Sequence, residues 1–314
     1  MSNGTLLPSN TVDTSLGAVW GAGFMGNVSR GIVLPNWEAG GEPSRLVEAA
    51  VAAEEGGWDG VFLADHLIFP PPQTIGGPGP RAADAQPFPD PWITLAAVAE
   101  RTQRIRLGSW ITPIARRQPW QVARDLATLD RLADGRVILG VGLGRRSDYE
   151  RFGTAWNPPA LGRKVDEALE VIDGLWSGEP FSYRGQYYQL EDSRILPTPR
   201  QRPRIKIVTA GLWPNKAPIR RGARWDGIIP HYPGDGIVPG DELSPEQHVR
   251  DLATYYHGIA DEPGEIMLPA NPPDASPEYS ELCSDLGVTW LLTAKPGGSW
   301  TLDADAIRAG PPAR

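Results

Sequence analysis

The sequence predicts an α/β protein built as a single (β/α)8 (TIM) barrel with long pocket-forming loops. Three observations carry this reading. Short apolar runs alternate with amphipathic helical stretches from residue 30 onward, the pattern of parallel strand–helix–strand units. About eight such units fit the chain, enough to close a sheet on itself. The 314 residues and 40% hydrophobic content suit one large core, and a barrel of this kind commonly takes about 250 residues. With no repeat of fixed period and no second domain in view, the chain divides into an extension over 1–29 and a barrel over 30–314.

Ile32, Val33 and Leu34 form the first strand. A helix follows from Pro43 to Glu55, with Leu46, Val47, Ala50 and Val51 on one face. Trp58 to Ala64 reads as the second strand. Asp90 and Pro91 make an N-cap and first helical position for a helix reaching about Arg104. Arg106 to Ile111 is the third strand, and Val122, Leu126, Leu129 and Leu132 stripe a helix ending near Asp134-Gly135. Val137 to Val141 is the fourth strand and runs into glycines. Val165, Leu169, Ile172 and Trp176 mark the next helix, followed by a proline-rich polar and aromatic excursion over 178–203. Ile205 to Val208, Asp226 to Pro230, Ile266 to Leu268 and Val288 to Leu292 complete the set, the seventh being the weakest in pattern. The Pro/Gly-rich stretch from Phe69 to Pro89 is too long for a bare connection and reads as a lid or pocket wall.

Composition excludes several classes of partner. A net charge of −8 and a pI near 5.1 argue against nucleic acid and against an anionic membrane surface. No run approaches 18 apolar residues, so no spanning helix is predicted. Residues 1–30 lack a basic start and an apolar stretch, which argues against a secretory signal. One cysteine, Cys283, cannot pair within the chain, and a cytoplasmic location is expected.

In a barrel the chemistry lies at the carboxyl ends of the strands. That rule selects Asp65 and His66 after the second strand, Ser109 to Thr112 on the third and Gly142 to Asp148 after the fourth. It also selects Ala210 to Asn215 after the fifth strand and His231 after the sixth. His66 is placed to exchange protons or to bond a ligand near neutral pH; the plain alternative is a histidine that satisfies a loop. Asp65, His66 and His231 together would suit a metal, but the four histidines show no HxH or HExxH spacing, so no metal is assigned. Gly140-Val141-Gly142-Leu143-Gly144 resembles a phosphate loop without GxGxxG spacing, and tight packing explains such glycines equally well. Thr209-Ala210-Gly211 is better placed to hold a phosphate on backbone N–H groups.

Several segments resemble the bacterial luciferase-like monooxygenases and their deazaflavin-dependent relatives. They are Trp58 to His66, Pro91 to Thr102 leading into Arg106 to Pro113, Gly135 to Gly144 with Glu150 to Gly153, Pro197 to Pro203, and Arg308 to Pro312. Their order and spacing cover about residues 30–312. The resemblance implies a flavin-type ring across the barrel mouth, backed by a bulge at Ser109-Trp110 that often carries a non-prolyl cis peptide. It implies that His66 is the active-site histidine, that Thr112 contacts the ring and that Ala210-Gly211 holds its phosphate. Asp148 falls where some relatives place an asparagine on the cofactor, and Asp65 and Gly142 join the candidate cofactor contacts. Arg145 stands where sugar-phosphate-oxidising relatives carry an acidic proton donor, and Leu143 near a phosphate-binding arginine of the luciferases, so neither of those substrates is expected.

The function expected from these residues is oxidoreduction of a small organic molecule with coenzyme F420 or FMN, the deazaflavin F420 slightly preferred. The reaction is either monooxygenation with reduced flavin or hydride transfer. A homodimer, and a separate flavin reductase if FMN is used, are the implied partners. Two other classes compete: a metal-dependent barrel hydrolase using Asp65, His66 and His231, and a barrel that binds flavin without turnover.

Overall fold

A computed structural model describes residues 28–68, 85–232, 242–270, 276–294 and 302–311. Eleven strands occur among them: β1 (Ser29–Leu34), β2 (Gly60–Leu63), β3 (Arg106–Ser109), β4 (Thr112–Pro113), β5 (Val137–Gly142), β6 (Phe181–Arg184), β7 (Gln189–Ser193), β8 (Lys206–Leu212), β9 (Gly227–His231), β10 (Glu265–Pro269) and β11 (Trp290–Thr293). All but β6 and β7 join one parallel sheet in the order β3-β2-β1-β11-β10-β9-β8-β5-β4, and the pairing of β3 with β5 closes it. β3 and β4 are two pieces of one barrel strand, so the barrel has eight. Helices α1 (Pro43–Glu55), α2 (Pro91–Arg101), α3 (Pro119–Leu132), α5 (Pro158–Trp176), α6 (Lys216–Arg224), α7 (Pro245–His257), α8 (Pro277–Asp285) and α9 (Ala304–Arg308) connect and jacket the strands. One further turn of helix, α4 (Ser147–Glu150), lies in the loop after β5.

Helix starts follow directly from sequence. Proline occupies the first turn of α1, α2, α3, α5, α7 and α8, where its missing N–H costs nothing. Asp90, Asn157, Asn215, Ser244, Ser276 and Asp303 cap their helices with side-chain oxygens. Along the strands, residues alternate between two environments. Val33, Phe62, Ile138, Val208, Ile229, Met267, Trp290 and Leu292 fill the barrel interior, while Ile32, Val61, Leu107, Leu139 and Ile207 pack outward under the helices. Phe62 and Trp290 meet edge to face, with centroids 5.8 Å apart. Space for these two rings comes from Gly60, where an added Cβ would lie 2.8 Å from Trp290 and 2.9 Å from Phe62.

Four expectations need correction. The third strand is not continuous over 106–111; it breaks between Ser109 and Thr112, around the cis peptide Trp110–Ile111. The fifth barrel strand does not end at Val208 but continues to Leu212, because Ala210, Gly211 and Leu212 pair with Ile229, Pro230 and His231. The excursion over 178–203 contains the antiparallel hairpin β6–β7, whose turn is held by Glu167 of α5 accepting the N–H groups of Gln186, Tyr187 and Tyr188. The helix from Pro91 stops at Arg101, three residues short of Arg104, and Thr102 follows in extended backbone. Of the stretch 69–89, residues 69–84 lie outside the described residues, as does nearly all of the 1–29 extension. Among the described residues no helix is long and apolar enough to cross a membrane.

Candidate active site at the carboxyl ends of the strands

Trp110, Ile111 and Ala210 pack on the interior cluster and form a largely apolar floor at the carboxyl ends of the strands. Trp110 meets the ring of His231 edge-on, with centroids 5.5 Å apart at 90°. The non-prolyl cis peptide expected near Ser109-Trp110 is the next bond along, Trp110–Ile111. Three predicted residues shape this floor. Ser109 is buried and its hydroxyl donates to Gly140 O at 2.9 Å, tying β3 to β5. Gly142 leaves room for Ile111, whose Cδ1 would lie 1.8 Å from an added Cβ. Thr112 is buried, with its hydroxyl oxygen accepting from the indole N–H of Trp92 at 3.0 Å.

Beside the floor stand His66 and Asp148. Nδ1 of His66 lies 2.8 Å from Oδ2 of Asp148, whose side chain is fully buried while that of His66 is 17% exposed. The other oxygen, Oδ1, accepts the backbone N–H groups of Leu67 and Ile68, each at 3.1 Å. Burial alone would raise the Asp148 pKa. The His66 hydrogen bond and charge, the Ile68 N–H and the Arg116 charge outweigh it, so the carboxyl sits below its usual range. Asp148 is presented by α4, and this turn is fixed by Tyr149, whose buried phenol donates to Leu143 O at 2.7 Å. Gly144 permits the approach with a φ of 76°. Arg145 is partly buried; burial lowers its pKa and the charge of Asp148 opposes that.

Asp65 is occupied differently. Arg116 donates to its carbonyl and its Oδ1, both at 2.9 Å, while Arg117 donates to Oδ2 from Nη2 at 2.9 Å and Nε at 3.2 Å. Arg117 also reaches Asp90, the cap of α2, at 3.2 Å. Asp65 therefore anchors the loop that carries His66. Its carboxylate is spent on guanidinium groups, which removes the Asp65–His66–His231 metal reading; no metal-holding group of three His, Cys, Asp or Glu occurs among the described residues. Gly211 is required for a reason unrelated to phosphate: an added Cβ would lie 2.1 Å from Pro218 Cγ of α6.

Strand-end reasoning missed some contributors. Asn36, at the end of β1, is buried and its amide exchanges hydrogen bonds with the N–H and carbonyl of Ala64, at 3.2 and 3.1 Å. The rule applied to the first strand would have found it. Phe88 stacks with Trp37 at 6.4 Å and touches the His66 ring edge-on at 5.7 Å, a contact that no local pattern signals. Arg116 has a side chain only 9% exposed, and its Nε and Nη1 have no partner among the described residues. An apolar floor with an imidazole beside it fits the face of a flat ring. A hollow of about 590 Å³ lies at the opposite, amino-terminal end of the barrel, lined by Trp58, Ile138 and Trp290 with Glu54, Lys206 and Glu265. It contains none of the strand-end groups.

The chain is similar to known proteins in sequence and in fold. The family model of luciferase-like monooxygenases matches residues 29–261. Over 171 residues the chain is 38% identical to an F420-dependent glucose-6-phosphate dehydrogenase of Microbacterium testaceum, covering 54% of this chain and 48% of that protein. Over 192 residues it is 34% identical to an F420-dependent hydroxymycolic acid dehydrogenase of Mycobacterium tuberculosis, covering 58% and 48% respectively. The chain thus spans about half the length of the curated relatives it matches. In fold it resembles the coenzyme F420-dependent tetrahydromethanopterin reductase of Methanopyrus kandleri, with a TM-score of 0.64 at 17% identity over 90% of this chain and 97% of that one.

Proposed function

The chain belongs to the luciferase-like monooxygenase family, and on that premise we propose that it is an F420-dependent oxidoreductase exchanging hydride with a small organic alcohol or carbonyl compound. The observation that carries this reading is His66, an accessible imidazole at a strand end, bonded to a buried carboxylate beside an apolar floor. The names of the relatives, F420-dependent dehydrogenases, support the deazaflavin over FMN.

Trp110, Ile111 and Ala210 would carry the ring at the carboxyl ends of the strands. The bound deazaflavin supplies two-electron hydride chemistry. What remains for the chain is the proton. His66 takes it from the substrate hydroxyl during oxidation and returns it to the carbonyl oxygen during reduction. Thr112, held by Trp92, and Ser109, held by Gly140, keep the floor rigid. Asp65, clamped by two arginines, fixes the backbone that presents His66. Gly211 serves the packing of α6, so the phosphate contact is carried by neighbouring backbone rather than by this glycine's open face.

A separate flavin reductase belongs only to the FMN alternative. A cytoplasmic homodimer is part of the proposal, its mass in solution being the direct check.

The test is thermal unfolding with each cofactor in turn. A ligand at 100 times its Kd stabilises by about 2.7 kcal/mol, a melting shift of about 4 °C for a chain this size. Stabilisation by F420, with turnover of a panel of primary and secondary alcohols, supports the reading. A shift with FMN alone would reassign the cofactor, and no shift with either would end it. His66→Ala should lower kcat/KM by about 10²–10⁴, with a stability cost of about 1–3 kcal/mol because buried Asp148 loses a donor.

A further inference from the structure

We infer that Asp148 is a positioning residue that sets the tautomer of His66, holding the proton on Nδ1 and so leaving the basic lone pair on Nε2. This deepens the hydride-transfer reading and rests on it, since it specifies which ring nitrogen handles the substrate proton.

The argument begins with what Asp148 can accept. Its two oxygens serve three donors: Oδ1 takes the N–H groups of Leu67 and Ile68, and Oδ2 lies 2.8 Å from Nδ1 of His66. An ionised carboxylate has no hydrogen to offer, so a 2.8 Å contact requires Nδ1 to be the donor. The neutral ring then carries its lone pair on Nε2. The charged groups bearing on this carboxylate are Arg116 and Arg145, and the nearby Tyr149 phenol feels both Asp148 and Asp65. The cations help to keep Asp148 ionised, and hence an acceptor only. Leu67 and Ile68 follow His66 directly, so one side chain fixes both the orientation of the ring and the backbone that presents it. With the side chain of Asp148 fully buried, water does not compete for these bonds.

An amide at this position makes the inference sharp. In Asp148→Asn only one oxygen remains, and two backbone N–H groups converge on the place of Oδ1. The oxygen is therefore drawn to that side, and the amide NH2 faces His66. An NH2 group is a donor, so Nδ1 must become the acceptor and the ring hydrogen must move to Nε2. The substitution keeps the shape and inverts the tautomer.

The experiment is 15N NMR of the imidazole in protein labelled at histidine, without cofactor and at a pH where the ring is neutral, with His66→Gln to assign the signal. The wild-type protein is expected to show a protonated Nδ1 and a bare Nε2. Asp148→Asn is expected to show the reverse, with kcat reduced at least about 10-fold. A wild-type ring protonated on Nε2 overturns the inference and needs no variant to be folded. An unchanged tautomer in a folded Asp148→Asn overturns it as well. Should His66→Ala retain full turnover while the tautomer behaves as stated, the proton-transfer reading fails and the positioning by Asp148 stands.

Discussion

Asp65 shows how a single residue is read differently from sequence and from structure. Its place next to His66 made it a candidate cofactor contact, yet its side chain is 3% exposed and shared by two guanidinium groups. The sequence holds both halves of this network, but nothing local says that residues 51 and 52 positions apart will meet. A buried carboxylate between two cations gains little over an apolar substitute, but removing it leaves charges uncompensated. Asp65→Ala should therefore cost about 3–5 kcal/mol, measured as the fall in unfolding free energy in urea. A loss below about 1 kcal/mol, the value of an exposed pair, would show that the clamp does not form in solution. His66 and Asp148 were legible for the opposite reason: both sit where a strand runs out, and the strand-end rule needs no partner to be known. Asn36 obeys the same rule and escaped because its strand carries no chemistry beyond the amide.

At the level of elements, the helices were readable and the irregular strands were not. α1 was bounded correctly from Pro43 to Glu55 because proline and the apolar stripe are local signals. The hairpin β6–β7 was not seen, since its strands are only four and five residues long and none of their residues is fully buried, so the apolar signal is weak. Its turn depends instead on Glu167, about two and a half helical turns from the end of α5. The extension of β8 to Leu212 was also hidden, because it is set by pairing with β9 and by the fit of Gly211 against Pro218. That fit makes a prediction opposed to a phosphate role for the glycine. Gly211→Ala places a Cβ 2.1 and 2.2 Å from two atoms of a rigid proline ring, and strand or helix must shift. The expected cost is about 1–3 kcal/mol of stability, with the cofactor affinity of the folded fraction unchanged. Calorimetry and a cofactor titration on the same sample separate the two. Weakened binding with full stability would restore the phosphate assignment.

Across the whole molecule, the barrel is fastened at both ends by carboxylates that gather backbone N–H groups. Asp148 does so at the carboxyl ends of the strands, with Leu67 and Ile68. Glu54 does so at the other end: its carboxylate, on α1, accepts from Gln103 at 3.0 Å, Arg104 at 2.7 Å and Ile105 at 2.9 Å, just before β3. Burial raises the pKa of Glu54, but the three N–H groups and the charge of Arg104 lower it further, and the net shift is downward. Both groups thus have folded-state values below those of the unfolded chain. Their contribution is complete above the unfolded carboxylate value of about 4 and disappears as pH falls through the folded value. Stability should stay level from neutral pH to about 5 on this account and then drop as the unfolded chain takes up protons. Glu54→Gln removes one such group while keeping an oxygen for the N–H cluster, so its curve should start lower and fall less steeply below pH 5, by up to one bound proton. The measurement is unfolding free energy in urea at steps between about pH 7 and 3 for both proteins. Parallel curves would mean that Glu54 titrates alike in the folded and unfolded chain, and that the ladder of N–H groups does not stabilise its charge.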